Sequence, residues 1–239
     1  MSLHYLDEFV DLHLGGIDLR FPHHEDERAQ SNCAIGKESV ALWVHGEHLL
    51  FEGRKMAKST GNVVLVSDLI TKHIDPLALR LCFLENRYRS QMDLSWDSLK
   101  AAHLLIQRWR EKIQIWQKDA TVDQINANEL IAEVIADFRQ DLDTPRALQK
   151  LRTLEKSEDI KDSTKFKVFS SLDNLFGLNL LTVSTKKDLD QHSKGLLEKR
   201  ALARSSGDFV DSDRLRDELV KLGITVKDNK EGQSWDWLI

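Results

Sequence analysis

The sequence predicts a mixed α/β region, then a helical region, and then a small mixed region at the C-terminal end. Over the first 65 residues, alternating apolar runs flank a helical stretch. From about residue 66 the apolar residues recur at helical spacing, and residues 224–239 alternate around a glycine turn. With 239 residues, 41% of them hydrophobic, the chain can bury one large core or two to three small ones.

The first part of the chain predicts a strand, a helix and a second strand. Residues 9–14 alternate and end in Gly15-Gly16, which is typical of a strand that leads into a tight turn. Pro22 predicts the start of a helix that continues to about residue 34, because proline is tolerated in a first helical turn. Residues 40–51 predict extended structure, and a polar turn follows at residues 52–55.

The rest of the chain predicts helices and a closing hairpin. The longest helix covers residues 95–118, where apolar residues including Trp109 and Trp116 share one face and are expected in the core. Six shorter helices are predicted at residues 77–84, 128–141, 145–157, 165–176, 195–205 and 210–222, the first of them capped by Asp75-Pro76. A linker is predicted at residues 184–188 and a turn at residues 230–232.

Composition narrows the class of function. The chain has 34 Lys and Arg residues and 39 Asp and Glu residues, so it lacks the basic excess of proteins that bind nucleic acid indiscriminately. This balance still allows a local basic surface. No apolar run approaches the roughly 18–20 residues that span a membrane, so no membrane partner is expected. The first residues do not resemble a secretory signal. Cys33 and Cys82 form no CxxC pair and fit a reducing cytoplasm.

Two short blocks carry the candidate chemistry. His23 and Glu27 lie four residues apart on a predicted helix, so they share one face and suit two ligands of a tetrahedral zinc. The same spacing is also common in a solvated surface pair. Lys55 and Lys58 lie in KMAKSTGN, where two ammonium groups could stabilise phosphate charge, although a solvated lysine-rich turn has the same pattern.

Together the blocks resemble a known family. DLHLGGIDLRFPHHEDERAQ, residues 11–30, is similar to the zinc-and-cysteine segment of cysteinyl-tRNA synthetases, and KMAKSTGN resembles the KMSKS loop of class I aminoacyl-tRNA synthetases. In that family zinc binds the cysteine thiolate, and a serine hydroxyl is a poorer ligand. The resemblance implies zinc contact by His23 and Glu27, substrate contact by His13 and Asp18, ATP contact by Lys55, Met56, Lys58 and Ser59, and catalytic roles for Lys55 and Lys58.

The resemblance continues to the C-terminal end. RYRS at residues 87–90 is similar to the family's HYRS segment, and DLDTPRAL at 141–148 is similar to its helical-bundle signature. Residues 200–235 match the family's C-terminal pattern R-x3-R, then D, then LxxxGI, then G-x-x-W. This pattern implies an anticodon-recognition domain with tRNA(Cys) as partner, and tRNA contacts by Arg200, Arg204, Arg216 and Trp235. From the residues alone, the arginines could equally pair with Glu198 or Asp208 on a solvated helix, and Trp235 could pack in the hairpin.

The resemblance implies a mixed α/β and α fold in four parts. Residues 1–65 would be a remnant of a Rossmann-type class I catalytic domain with the KMSKS-like loop. A connecting helical region at 66–118, a helical bundle at 119–185 and a small mixed anticodon-recognition domain at 186–239 would follow.

Several departures from the family pattern bear on activity. No HIGH motif precedes KMAKSTGN, and the two upstream cysteines of the family's zinc site have no counterpart, since Cys33 is not at a ligand position. Leu14 replaces a glycine of the usual GGG run, and Ala57 replaces a serine. We therefore expect the C-terminal portion of a ligase that activates cysteine with ATP and transfers it to tRNA(Cys). We expect this chain to bind tRNA without completing aminoacylation, and residues 1–65 to pack loosely or self-associate.

Two alternatives remain open at this point. One is a non-catalytic tRNA-binding module derived from a synthetase, which would need no affinity for ATP. The other is the cysteine ligase of mycothiol biosynthesis, which shares the FPHHE-like and KMSKS-like blocks but looks as if it lacks the C-terminal pattern. Zinc is expected of the intact enzyme rather than of this chain.

Overall fold

The fold is mixed α/β and mostly helical. The computed structural model describes residues 2–56, 63–118, 124–182, 189–229 and 232–237. Its strands are β1 Val10–Gly16, β2 Val40–Gly46, β3 Leu49–Phe51, β4 Arg54–Lys55, β5 Met92–Leu94, β6 Ile224–Asn229 and β7 Gly232–Trp237. Its helices are α1 Ser2–Tyr5, α2 Glu25–Ile35, α3 Val66–Thr71, α4 Leu77–Leu84, α5 Trp96–Trp116, α6 Gln124–Arg139, α7 Thr144–Lys156, α8 Asp162–Phe176, α9 Gln191–Ser205 and α10 Phe209–Lys221.

Strands β1 and β2 form a parallel pair joined by α2, as a parallel connection requires a crossover. The predicted strand is confirmed, but Gly15 and Gly16 are the last two residues of β1, and the turn follows at Ile17–Leu19. The helix start predicted at Pro22 is confirmed to within a few residues, because Pro22 lies in a π-helical turn, Arg20–His24, that continues directly into α2 at Glu25. A 3-10 turn, Ile17–Leu19, and a wider turn precede α2, and within the wider turn Phe21 is extended at φ −142° and ψ 132°.

The second sheet has the strand order β4-β3-β5. The extended stretch predicted for residues 40–51 consists of two strands, β2 and β3, which belong to different sheets. Strand β3 turns back into β4 through Glu52 and Gly53, both at positive φ, and pairs in parallel with β5. The KMAKSTGN block begins in β4, and residues 57–62, including Lys58 and Ser59, lie outside the described residues.

One apolar core runs from Phe51 to Leu180 and is built around α5. The cap of α5 is Ser95, whose side chain accepts a hydrogen bond from the Ser98 amide. Trp109 and Trp116 are buried in this core, as the helical spacing predicts. We call residues 51–180 the helical body.

The C-terminal region has a core of its own. Leu196, Leu215 and Leu219 from α9 and α10 pack with Ile224 and Val226 from the hairpin β6–β7. The hairpin predicted around residues 230–232 is confirmed by the pairing of β6 with β7. Its residues 230 and 231 and the linker predicted at 184–188 lie outside the described residues. Among the described residues, no helix is both long enough and apolar enough to cross a membrane.

The sheet β1–β2 is packed differently from these two cores. Between residues 4 and 50 the only buried side chains are those of His24 and Ser39. Leu12, Leu14 and Leu42 are 47%, 62% and 57% exposed, respectively. One face of this sheet therefore presents apolar side chains to solvent, whereas parallel strands are normally covered on both faces.

Candidate functional site

Histidines gather on the other face of the β1–β2 sheet and at the start of α2. The histidines come from three segments of the chain, and they surround the carboxylate of Glu27 and the indole of Trp43. We call this group the histidine cluster. It consists of His13 on β1, His23, His24 and Glu27 around the start of α2, and Trp43 and His45 on β2.

Glu27 lies between two imidazoles. Its Oε2 is 3.4 Å from Nε2 of His13, and its Oε1 is 3.5 Å from Nε2 of His23. The Oε2 atom is shielded from solvent and accepts no hydrogen bond among the described residues. A shielded carboxylate oxygen without a donor is costly unless a cation or donor meets it.

His24 is the buried member of the cluster. Its Nδ1 is 2.9 Å from Nε2 of His45, so the two imidazoles share a hydrogen bond. Burial lowers the pKa of His24, and the neighbouring His13 and His45 act in the same direction. A Cβ on Gly15 would lie 2.3 Å from Cε1 of His24, so the glycine at the end of β1 leaves the space that this ring occupies.

Trp43 forms the floor of the cluster. Its ring stacks on His13, with centroids 4.3 Å apart and 21° between the planes. The register of the parallel pair places Trp43 opposite His13, and side chains two residues apart on a strand share a face. Trp43 and His45 therefore both face the cluster. The alternation of β2 puts Trp43 and His45 on one face, but the sequence does not give the register that brings this face to the cluster.

Two cavities flank the cluster. One of about 700 Å³ is lined by His13, Glu27 and Trp43 together with apolar residues of β1. The other, of about 510 Å³, is lined by His24, Trp43, His45, Arg20, Arg28 and Arg89, among others. Trp43 contributes to both walls. A small molecule in either cavity would therefore contact the cluster.

The residues expected to hold zinc lie in this cluster. Glu27 approaches His23 as the spacing predicts, and His13, His24 and Glu27 each offer one possible ligand atom, all three within 4.8 Å of one another. Imidazole nitrogens and a carboxylate oxygen are suitable zinc ligands. Asp18, expected near the substrate, is exposed in the turn after β1.

The lysine block lies on a different sheet. Lys55 is exposed on β4, and Met56 packs against the core of the helical body. Lys58 and Ser59 are outside the described residues, so their expected roles remain predictions. The KMSKS-like block is thus anchored on the body at one end.

The C-terminal candidates occupy unlike environments. Arg200 is fully buried, and its guanidinium donates to both carboxylate oxygens of Asp228 at 3.0 Å and to Gln233 at 2.8 Å. These bonds are the first cause that holds the pKa of Asp228 below its usual range. Arg204 is 44% exposed and lies 3.3 Å from Asp228.

Arg216 is exposed on α10, and Trp235 is half-buried against the C-terminal core. Arg200 pairs with neither Glu198 nor Asp208, and it is not a solvated residue. Of the expected tRNA contacts, Arg204 and Arg216 are therefore the side chains that face solvent.

Comparison with protein families gives two matches. Residues 1–104 match the tRNA synthetases class I (C) catalytic domain, and residues 186–235 match the cysteinyl-tRNA ligase anticodon binding domain. The two matches lie at opposite ends of the chain and leave residues 105–185 between them. The first match contains the FPHHE-like and KMSKS-like blocks, and the second contains Arg200, Arg204, Arg216 and Trp235.

Similar proteins include cysteine–tRNA ligases of several bacteria. The protein of Leptospira interrogans (serovar copenhageni) is 33% identical over 95% of this chain and 52% of its own length, and that of Thermus thermophilus is 37% identical over 98% and 53%. The leucyl-tRNA synthetase of Agrobacterium radiobacter, solved with tRNA, superimposes on 75% of this chain and 28% of its own, with a TM-score of 0.56 at 15% identity. This likeness concerns the fold. The chain spans about half the length of the curated relatives that it matches.

Proposed function

Because the chain belongs to the cysteinyl-tRNA synthetase family, we propose that it is the tRNA-side half of a cysteine–tRNA ligase. The complete ligase would activate cysteine with ATP and transfer it to tRNA(Cys). The observation that carries this proposal is the histidine cluster, with Glu27 between His13 and His23, on a chain that also matches an anticodon-binding domain. Its free cysteines suit a reducing compartment, so we propose the cytoplasm.

The cluster is suited to a zinc ion. Glu27 would provide one ligand, with His23 as the resemblance implies and with His13 and His24 within reach. The shielded Oε2 of Glu27, which lacks a donor among the described residues, supports this assignment. Zinc bound there would prefer the soft thiolate of cysteine to the hydroxyl of serine. Trp43 and the 700 Å³ cavity beside it would then position the substrate.

ATP contact would come from the KMSKS-like block. Lys55 and Lys58 would stabilise the negative charge that develops on the phosphates of ATP. Met56 and Ser59, in the same block, would also contact ATP. Lys55 is exposed, as such a role requires. The anchoring of Met56 in the body would fix one end of the loop.

The exposed face of the β1–β2 sheet supports the proposal that another polypeptide segment completes the catalytic domain. Leu12, Leu14 and Leu42 lie on that face, and the two strands are a small fraction of a nucleotide-binding sheet. We propose that a segment equivalent to the other half of the relatives covers this face. Without that segment, the chain would bind tRNA but would not activate cysteine. A second copy of the chain would then cover the exposed face of the sheet.

The proposed tRNA surface includes Arg204 and Arg216. Both side chains are exposed in the C-terminal region, where guanidinium groups can contact phosphates and fix the position of the tRNA. Buried Arg200 would instead hold α9 against the hairpin, and it is not part of this surface. Trp235 would contribute through the shape of the hairpin rather than as a fully exposed ring.

The experiment compares the binding of tRNA(Cys) and of a non-cognate tRNA by Arg204→Ala, Arg216→Ala and a control, Arg214→Ala. Arg214 is also exposed on α10, where it pairs with Asp211 and Glu218. Loss of one phosphate contact should weaken binding about fivefold and reduce the salt dependence by about one unit of log–log slope. Equal losses in the Arg214 control, or none in the other two, would sink the assignment.

The alternatives differ in measurable ways. A non-catalytic tRNA-binding module would show the same tRNA binding but would not gain cysteine activation when the other half of a related ligase is added. A cysteine ligase that acts on an amino sugar needs no anticodon domain, so the match at residues 186–235 favours tRNA as acceptor.

A further inference from the structure

Two segments that the proposed function leaves without a role meet in the structure. Tyr88 donates from its hydroxyl to Oδ1 of Asp141 at 2.6 Å, and Arg89 donates from Nε to Oδ2 of Asp141 at 2.7 Å. Arg87 pairs with Asp143. We call these five residues the clasp. They join residues 87–89, which follow α4, to the turn between α6 and α7.

The bundle side of the clasp is held by backbone geometry. Asp141 and Leu142 both have φ of +53°, a conformation that aspartate tolerates better than most residues. Leu142 donates its amide to Phe138, and Asp143 caps α7 by accepting from the Arg146 amide. The turn therefore presents its two carboxylates in fixed positions.

The other side of the clasp reaches the histidine cluster. The carbonyl of Tyr88 accepts a hydrogen bond of 2.7 Å from the amide of Glu47, the residue that follows β2. Two residues earlier, His45 bonds to His24. Arg89 itself lines the 510 Å³ cavity together with both histidines. A continuous series of direct contacts thus runs from the α6–α7 turn to the cluster.

The Arg89–Asp141 pair of the clasp is not placed to contribute much stability. The side chains of Arg89 and Asp141 are 64% and 46% exposed, and exposed ion pairs contribute little to folding. Arg89 and Tyr88 nevertheless hold the pKa of the Asp141 carboxyl below its usual range, so it is charged at neutral pH. A charged, fixed and weakly stabilising contact is suited to setting the position of its partners.

We infer that Asp141 is a positioning residue, which fixes Tyr88 and Arg89 and, through the Tyr88 carbonyl, the end of β2 that carries His45. The helical bundle would thereby set the geometry of the histidine cluster. The value of this device for catalysis rests on the proposed function. The contact itself can be tested without any catalytic assay, so failure of one can be distinguished from failure of the other.

The test uses Asp141→Asn in the full chain, since asparagine keeps the shape and tolerates positive φ. We expect amide exchange at Glu47 to accelerate about tenfold, with the thermal midpoint nearly unchanged. The imidazole nitrogen signals of His24 and His45 should shift as well. The matched control is Asp211→Asn, which removes an equally exposed carboxylate that pairs with Arg214, and it should alter neither readout.

Tyr88→Phe provides a second arm, because it removes only the hydroxyl that contacts Asp141. It should accelerate exchange at Glu47, and it should add little in the double variant with Asp141→Asn, because both changes act through one contact. Unchanged exchange at Glu47 in both single variants would overturn the inference. So would an equal change in the control, or additive effects of the two substitutions. Should Asp141→Asn fail to fold, unchanged exchange in Tyr88→Phe alone would overturn it.

Discussion

The β1–β2 region, residues 10–46, and the helical body, residues 51–180, bury different kinds of side chains. The body buries leucine, isoleucine, phenylalanine and tryptophan around α5. The β1–β2 region buries His24 and Ser39 and leaves leucines on its surface. The large apolar core and the histidine cluster therefore lie in different parts of the chain.

This difference has a physical consequence. Apolar burial is the main favourable term in folding, so substitutions in the body should change stability. The polar groups of the histidine cluster are held by a few contacts on a two-stranded sheet, so substitutions there should change ligand binding. Substitutions in the two regions should therefore have separable effects on stability and on ligand binding.

Trp109→Ala should destabilise the helical body by about 3–5 kcal/mol, because it leaves a large cavity. It also removes the donor that meets Glu155 at 2.8 Å. Leu42→Ser on the exposed sheet face should change stability by no more than about 0.5 kcal/mol. Urea unfolding of both variants measures the two values.

Leu42→Ser should instead reduce any self-association of the chain, as measured by light scattering. A destabilisation by Leu42→Ser comparable to that of Trp109→Ala would mean that the β1–β2 region has a core of its own. That result would remove the contrast.

Glu27→Gln should weaken binding of Co²⁺, a spectroscopic probe for zinc, by at least about tenfold, because it removes the carboxylate shared by the cluster. The matched control is Glu25→Gln. Glu25 lies on the first turn of the same helix, but it does not belong to the ligand group of His13, His24 and Glu27. Absorption titration of the full chain reports the affinity. Equal losses in both variants would mean that the metal binds elsewhere.

Arg200→Ala should destabilise the C-terminal region by about 2 kcal/mol, because Asp228 and Gln233 lose their partner. Arg204→Ala should leave stability nearly unchanged, because the Arg204 side chain is exposed. Amide exchange in α9 and the hairpin distinguishes the two. If Arg200→Ala kept its stability but bound tRNA more weakly, Arg200 would be a tRNA contact rather than a structural residue.

The charge on Glu155 makes the helical body sensitive to acid. Burial alone would raise the pKa of this carboxyl, but donors from Trp109, Lys112 and Arg108 outweigh it and hold the pKa below its ordinary value. A carboxyl with a lowered pKa stabilises the fold above its unfolded-state pKa of about 4.5. This contribution is lost as the pH falls through the folded-state pKa.

The thermal midpoint of Glu155→Gln should therefore fall less between pH 6 and pH 3 than the thermal midpoint of the parent chain. The parent would lose stability over the acid end of that range. Thermal scans at several pH values provide the measurement. Parallel curves for the two proteins would show that other carboxylates account for the acid sensitivity.

The features that the sequence predicts correctly depend on neighbouring residues. Ser95 and the apolar spacing behind it define the start and the buried face of α5. Gly15-Gly16 marks the end of β1, and Gly232 marks the hairpin. Caps, turns and periodicity act over a few residues, so a single sequence contains them.

The features that the sequence does not predict depend on contacts between distant residues. His24 meets His45, 21 residues away, only because of the strand register and the turn at residues 17–24. Arg200 and Arg204 look alike on a helix, but Asp228 and Gln233 of the hairpin bury only the first. Partners of this kind become visible when the tertiary fold is known.

The most direct test of the account is cysteine-dependent ATP–pyrophosphate exchange by the purified chain with zinc. Exchange would be measured alone and after addition of the first half of a related ligase. We predict no exchange by the chain alone and measurable exchange once the exposed face of β1–β2 is covered by that half. Exchange by the chain alone would contradict the account, because the site would then be complete without a further segment.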